Sequence, residues 1–340
     1  MKIMVTGGTG YLGSHAVQAF LAAGHDVRLL VRSVDKLHQV YDPKGIVIDE
    51  VVVGEVIDPA SVATALDGCD AVFHAAGVVG VSRVEQASRR TNVDGSRNVI
   101  GQAAAAWLDP ILYTSSVAAL IPTTDPVLTV DTPLADAPGD YGRSKAEAER
   151  FVRGLQADGA PVVSFIIGAV YGPDQPALAS AMESIVAAAG QMMVLTTGGI
   201  GVIDVRDLAR LFTAAMEPGR GPRRYVSGGQ YLTWREWTDV MSDVLGRRVR
   251  RVRVPAGVLC RAGRLLDAAK RLHDFDYPLT YEAAVEMTVT PPNDDRLTLT
   301  DLGVQYRPVR ETMDDSTRWL IAAGHLDGRF APRLAPVPET

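Results

Sequence analysis

The sequence predicts an α/β protein, a doubly wound parallel sheet (Rossmann fold) with a smaller interleaved C-terminal α/β lobe. Three observations predict it. Short apolar runs alternate with amphipathic stretches of ten or more residues through the first half of the chain. A glycine turn, Thr6-Gly7-Gly8-Thr9-Gly10-Tyr11-Leu12-Gly13, joins the first apolar run to the first amphipathic stretch. From about Gly172 onward the segments lose that regular alternation.

Taken in order, Ile3-Met4-Val5 is the first strand, and the helix after the turn presents Leu12, Ala16, Val17, Phe20 and Leu21 on one face. Gly24 stops that helix. Asp26 to Val31 and Val51 to Val53 are the next strands, and Asp58 caps a helix whose first turn holds Pro59. Strands follow at Ala71 to Ala75, Ile111 to Thr114 and Val162 to Ile167, with helices between them at Val84 to Ala106 and Tyr141 to Leu155. Helices are expected near Pro176 to Ala189, after the capping box Thr233-Trp234-Arg235-Glu236, and at Arg310 to Ala323; Val249 to Val254 reads as a strand. The expected division is 1–171 for the nucleotide domain, with 198–215 returning to it, 172–330 for the second lobe, and a frayed tail over 331–340.

With 340 residues, 47% hydrophobic and 22% charged, the chain can bury a full core. Its net charge of −6 argues against a nucleic-acid partner. Cys69 and Cys260 form no CxxC pair and no metal-ligand spacing, so no metal is expected and a reducing, cytoplasmic setting is. No leader is expected ahead of the first strand, and no apolar run approaches the roughly 20 residues of a membrane span.

Strand, glycine turn and helix N-terminus together make an anion site suited to a dinucleotide diphosphate, with Gly7 for the tight turn, Gly10 for close backbone approach and Gly13 for helix–strand packing. Tyr141 and Lys145 stand four apart on one helix face, so an ammonium can sit beside a phenol and lower its pKa from near 10. Such a pair can exchange a proton with a substrate oxygen while hydride moves to or from a nicotinamide. Tyr113-Thr114-Ser115-Ser116 ends a strand with hydroxyls at the same edge of the sheet.

These motifs resemble the extended short-chain dehydrogenase/reductase superfamily, which includes nucleotide-sugar epimerases and dehydratases, 3β-hydroxysteroid dehydrogenases and dihydroflavonol reductases. The matching residues are Thr6 to Gly13, His74-Ala75-Ala76-Gly77, Asn92-Val93-Asp94-Gly95-Ser96-Arg97-Asn98-Val99, Thr114-Ser115-Ser116, Tyr141 with Lys145, Val170-Tyr171-Gly172-Pro173 and Val205-Arg206-Asp207. They run in the family's order across about two thirds of the chain. The resemblance implies a catalytic triad of Ser116, Tyr141 and Lys145, in which Ser116 orients the substrate oxygen and Lys145 also holds the nicotinamide ribose. It implies cofactor contacts at Gly7, Thr9, Gly10, Tyr11, Leu12, Gly13, Ala75, Ala76, Gly77, Thr114, Ser115 and Gly168. Glu55, beside Val56, would replace the usual adenine-binding Asp, and Asn92 would distort its helix near the active site. Ile166-Ile167 departs from the family's common Arg-Pro.

The second strand ends at Arg32, with Lys36 a turn further on, where NAD sites commonly place a carboxylate. A guanidinium fits a ribose 2′-phosphate, so NADP(H) is expected ahead of NAD. The expected activity is reduction of a ketone, or oxidation of a secondary alcohol, on a fairly apolar small molecule. One alternative is an NAD-dependent nucleotide-sugar epimerase or dehydratase, with Arg206, Arg223, Arg224 and Arg235 available for a diphosphate. Another is a non-catalytic NADP-binding redox sensor. Val254 to Leu272 fits an apolar lid, an interfacial helix in peripheral membrane contact, or an ordinary helix packed on the lobe. A homodimer through the helices at Val84–Ala106 and Tyr141–Leu155 is compatible with the family.

Overall fold

The structure, a computed structural model, describes residues 1–78, 89–178, 180–272 and 279–334. Its main sheet has seven parallel strands: β1 (Lys2–Thr6), β2 (Asp26–Val31), β3 (Glu50–Val53), β4 (Ala71–His74), β5 (Ile111–Ser116), β6 (Val162–Ile167) and β10 (Arg223–Ser227). The order across the sheet is β10-β6-β5-β4-β1-β2-β3. Connections run one way from β1 to β2 and β3 and the other way from β4, so the switch point lies between β1 and β4. That crevice is where a doubly wound sheet binds its ligand.

Helices cover both faces. On one, α1 (Tyr11–Ala22) and α7 (Val205–Ala214) bury Phe20 and Phe212 with Phe73, Phe165 and Tyr225 of the strands. Phe212 lies 4.8 Å from Phe73 and 4.9 Å from Phe165, ring centre to ring centre. On the other, α3 (Pro59–Leu66), α4 (Gly95–Ala105) and α5 (Asp140–Ala157) bury Val62, Val99, Ile100, Ala103 and Val152 against Met4, Val72 and Tyr113. Helix α2 (Val34–Tyr41) follows β2, capped by the Ser33 hydroxyl, and Asp58 caps α3 ahead of Pro59 as expected.

The C-terminal part adds two small sheets. β7 (Ala169–Tyr171), β9 (Gly199–Asp204) and β11 (Gln230–Thr233) form one, and β8 (Met192–Leu195) pairs with β12 (Arg250–Arg253) in the other. Around them pack α6 (Ser180–Gly190), α8 (Trp234–Leu245), α9 (Ala256–Leu272), α10 (Tyr281–Val289), α11 (Arg296–Leu302) and α12 (Val309–Ala322). Thr233 and Glu236 close the capping box of α8.

Four details differ from the sequence reading. Within 198–215, α7 packs on the main sheet, whereas β9 pairs in the three-stranded sheet and sends Ile203 into the main core. β10 was not expected, yet it extends the main sheet beside β6. Residues 331–334 are not frayed, because Ala331 and Leu334 enter the apolar cluster of Trp237, Val244 and Leu320. The helix expected from Val84 begins outside the described residues, and its described part opens with a π-helical turn over Arg90–Asp94 before α4.

Candidate active site

The residues expected for the triad and the cofactor lie at or near the C-terminal edge of the main sheet. After β1 the chain turns with Gly7 at φ +74°, and a Cβ there would stand 2.6 Å from the Ala75–Ala76 peptide. A Cβ on Gly13 would overlap the Gly7 carbonyl, so turn and helix can close only with glycine at this position. Gly10 donates its N–H to the Gly7 carbonyl at 2.9 Å and is the N-cap of α1, with no side-chain cap. The first-turn N–H groups of Tyr11, Leu12 and Gly13 thus face outward beside Thr9, an arrangement that fits a diphosphate. The Tyr11 ring meets His15 edge-on, and a Cβ on Gly172 would stand 3.0 Å from its hydroxyl.

The floor of the crevice is fixed by buried polar contacts. Thr6 Oγ1 lies 2.7 Å from His74 Nδ1, and His74 Nε2 lies 3.0 Å from Ser96 Oγ. Complete burial, then the nearby Lys145 charge, push His74 down to about 3, so its ring is neutral. Ala75 and Ala76 donate their N–H groups to the Thr6 carbonyl and hydroxyl, which leads the chain to Gly77. Asn92 sits in the π turn, and its amide accepts from the Val78 N–H at 2.8 Å and donates to Val78 O and Ser144 Oγ. It clasps this loop to helix α5. Asn98 Nδ2 donates to Val56 O at 3.0 Å, and Glu55 is exposed beside it.

Arg32 lies in the bend between β2 and α2, exposed and without a hydrogen bond or ion pair among the described residues. Lys36 is on the first turn of α2 and lines a cleft of about 210 Å³ with Gln39, Lys44 and Gln175.

Alternation along β5 separates the two serines onto opposite faces. Ser116, 9% exposed, sets its hydroxyl at the phenol of Tyr141, where it favours the ionised form, and accepts the Ala118 N–H at 3.2 Å. Ser115 is buried and points the other way, where its hydroxyl acts on the phenol of Tyr113. Thr114 donates to His74 O, and its own carbonyl accepts from Lys145 Nζ at 3.0 Å. That ammonium lies over the Tyr113 ring, 5.6 Å from its centre, and beside Gly77. Gly168 follows β6, where the Gly228 backbone leaves no room for a Cβ.

The electrostatics correct one expectation. Tyr141 is not lowered by Lys145; burial pushes it up to about 12, Ser116 partly opposes this, and Glu286 and Glu282 push it further up. Lys145 itself is lowered to about 8 by burial, opposed by Glu149. Both glutamates come from α10 in the C-terminal lobe. Glu282 accepts the Gly142 N–H at 2.9 Å, and Glu286 is raised to about 7 by burial and by Glu282. No spacing in the sequence announces them, since their contact spans 140 residues.

The arginines considered for a second diphosphate do not converge. Arg223 and Arg224 begin β10, at the opposite edge of the sheet from the site. Arg206 is paired with Asp204 and Asp315, each at 2.8 Å, and Arg235 is exposed on the first turn of α8. In α9, Val258 and Leu265 face solvent at 55% and 72% exposure, while Leu259 is buried. Among the described residues no helix is long and apolar enough to cross a membrane.

A family model described as the NAD dependent epimerase/dehydratase family matches residues 3–228. A 3-beta-hydroxysteroid dehydrogenase of Mycolicibacterium neoaurum is 28% identical over 281 residues, covering 77% of this chain and 75% of that protein. A 2-alkyl-3-oxoalkanoate reductase of Stenotrophomonas maltophilia is 28% identical over 258 residues, covering 72% of this chain and 76% of that protein. The crystal structure of gox2253 aligns with a TM-score of 0.81 at 26% identity, covering 96% of this chain and 99% of that one.

Proposed function

The chain belongs to the NAD dependent epimerase/dehydratase family, an NAD(P)-dependent oxidoreductase-type enzyme of the extended short-chain dehydrogenase/reductase superfamily, and from that premise we propose that it uses NADP(H) to reduce a ketone on a fairly apolar small molecule. The observation that carries this reading is the Ser116–Tyr141 contact at the C-terminal edge of the sheet, with the phenol held in its acid form. At neutral pH the phenol carries its proton, the form from which it can donate to a substrate oxygen.

The nicotinamide cofactor supplies hydride when bound. The first turn of α1 holds the diphosphate through its free N–H groups, and Arg32 with Lys36 holds a 2′-phosphate. Ser116 donates a hydrogen bond to the substrate carbonyl oxygen. As the carbonyl carbon is reduced, Tyr141 releases its phenolic proton to that oxygen, so one O–H bond breaks and the alcohol O–H forms. Lys145 uses one of its three donors on Thr114, which leaves two for the nicotinamide ribose. The segments 1–171 and 198–215, together with β10, form the cofactor domain, and the rest of 172–330 forms the substrate lobe.

The substrates for which these relatives are named, a steroid and an alkyl-oxoalkanoate, support an apolar ketone or alcohol. The test is NADPH oxidation across a panel of apolar ketones, run beside nucleotide sugars with NAD. Turnover of ketones is expected; turnover of the sugars alone overturns the reading.

A further inference from the structure

Helix α5 carries both Tyr141 and Lys145, yet its own sequence gives it no N-terminal cap. The N-cap is Gly139, which has no side chain to accept the orphan N–H groups of the first turn. The missing acceptor comes from the other lobe. Glu282 Oε1 accepts the N–H of Gly142, the third helical residue, at 2.9 Å. That is the N–H a capping side chain takes, and a carboxylate there is also favoured by the helix dipole.

The local sequence is shaped for this contact. A Cβ on Gly139 would overlap the Glu282 carboxyl group, and one on Gly142 would stand 3.2 Å from Glu282 Oε1 and 2.6 Å from Ala137 Cβ. Helix α10 is held from the C-terminal lobe at both ends. At its start, the Tyr281 N–H donates to Asp267 of α9 at 2.9 Å, and Arg264 donates to the Tyr281 hydroxyl at 2.7 Å. Toward its end, Trp234 Nε1 donates to Met287 O at 2.8 Å, and Tyr231 donates to Thr290 O at 3.0 Å. The charged groups that face Glu282 are Asp140 and Arg143 of α5, Asp267 of α9 and Glu286 one turn further along α10.

We propose that Glu282 is a positioning residue for the reaction: from the C-terminal lobe it supplies the cap that the catalytic helix lacks, so that Tyr141 is seated against Ser116 only while α10 is docked. The inference rests on the reading of Tyr141 as the proton donor. It makes the junction of the two lobes a determinant of catalytic geometry.

Two variants test it. Glu282→Gln keeps an acceptor oxygen and removes the charge; Glu282→Ala removes both. Expected are a fall in kcat for ketone reduction of about tenfold in Glu282→Ala at unchanged NADPH affinity, and near-complete retention of kcat in Glu282→Gln. Equal kcat in wild type and Glu282→Ala overturns the proposal, as does a fall in Glu282→Gln as deep as in Glu282→Ala. A readout without cofactor separates this from failure of the reductase reading. The tyrosinate absorbance titration, taken as the difference between each protein and its Tyr141→Phe counterpart, reports Tyr141 alone. Glu282→Gln should lower that titration, as a like charge is removed. An unmoved titration overturns the proposal even if no ketone is ever turned over.

Discussion

The ammonium of Lys145 donates to the carbonyl of Thr114 at 3.0 Å, and the phenol of Tyr141 is left to Ser116 and the two carboxyl groups of α10. Proximity on one helix face does not make the lysine the dominant influence on the tyrosine. Burial and the glutamates hold the proton on Tyr141, while burial alone weakens the hold of Lys145 on its own proton. The proposed reaction draws its proton from Tyr141 and leaves Lys145 for the cofactor.

Arg32 is exposed and makes no hydrogen bond or ion pair among the described residues, so its replacement should act chiefly on the cofactor. Arg32→Ala is expected to weaken NADPH by roughly ten- to a hundredfold, the value of one charge-assisted hydrogen bond, and to leave NADH nearly unchanged. Paired titrations by tryptophan fluorescence quenching measure both. Equal losses for the two cofactors would remove Arg32 from the 2′-phosphate site.

Two glycines on helices make opposite predictions. A Cβ on Gly13 overlaps the Gly7 carbonyl, whereas one on Gly154 in α5 meets nothing within 4 Å. Gly13→Ala should cost about 1–3 kcal/mol of stability and abolish nucleotide binding. Gly154→Ala should stabilise by about 0.5–1 kcal/mol through helix propensity and leave binding intact. Thermal melts with and without NADPH decide both; a Gly13→Ala protein that binds normally would contradict the packing of the turn.

Glu286 gives a signed pH effect on stability. Burial and Glu282 raise its folded pKa from 4.5 to about 7. Between those values the folded state binds the proton that the unfolded state has lost, so this group's contribution to stability falls as pH rises through the window. Glu286→Gln should flatten that fall by roughly 2–3 kcal/mol, read as the change in urea midpoint between about pH 5 and pH 7.5. An unaltered pH dependence in the variant would place Glu286 in water rather than against Tyr141.

The part of the fold legible in the sequence is the part that local pattern dictates. The apolar runs of β1, β2 and β6, the Asp58-Pro59 start of α3 and the capping box of α8 stand where expected. β10 escaped because Arg223-Arg224-Tyr225-Val226-Ser227 shows neither an apolar run nor alternation, although its last three residues are buried beside β6. Ala331 and Leu334 sit in a Pro-containing stretch without helical or strand period, so only tertiary packing shows their burial. For the candidate site, motif spacing brought Ser116, Tyr141 and Lys145 to one edge of the sheet. It was silent on Glu282 and Glu286, whose effect on Tyr141 depends on how α10 docks and not on any interval along the chain.

The most direct measurement of the central claim is NADPH oxidation with an apolar ketone by the wild-type protein and by Tyr141→Phe. The variant is expected to bind NADPH with unchanged affinity and to lose about 10²- to 10⁴-fold in kcat, since only the proton donor is gone. A Tyr141→Phe protein that reduces the ketone at the wild-type rate would contradict that claim.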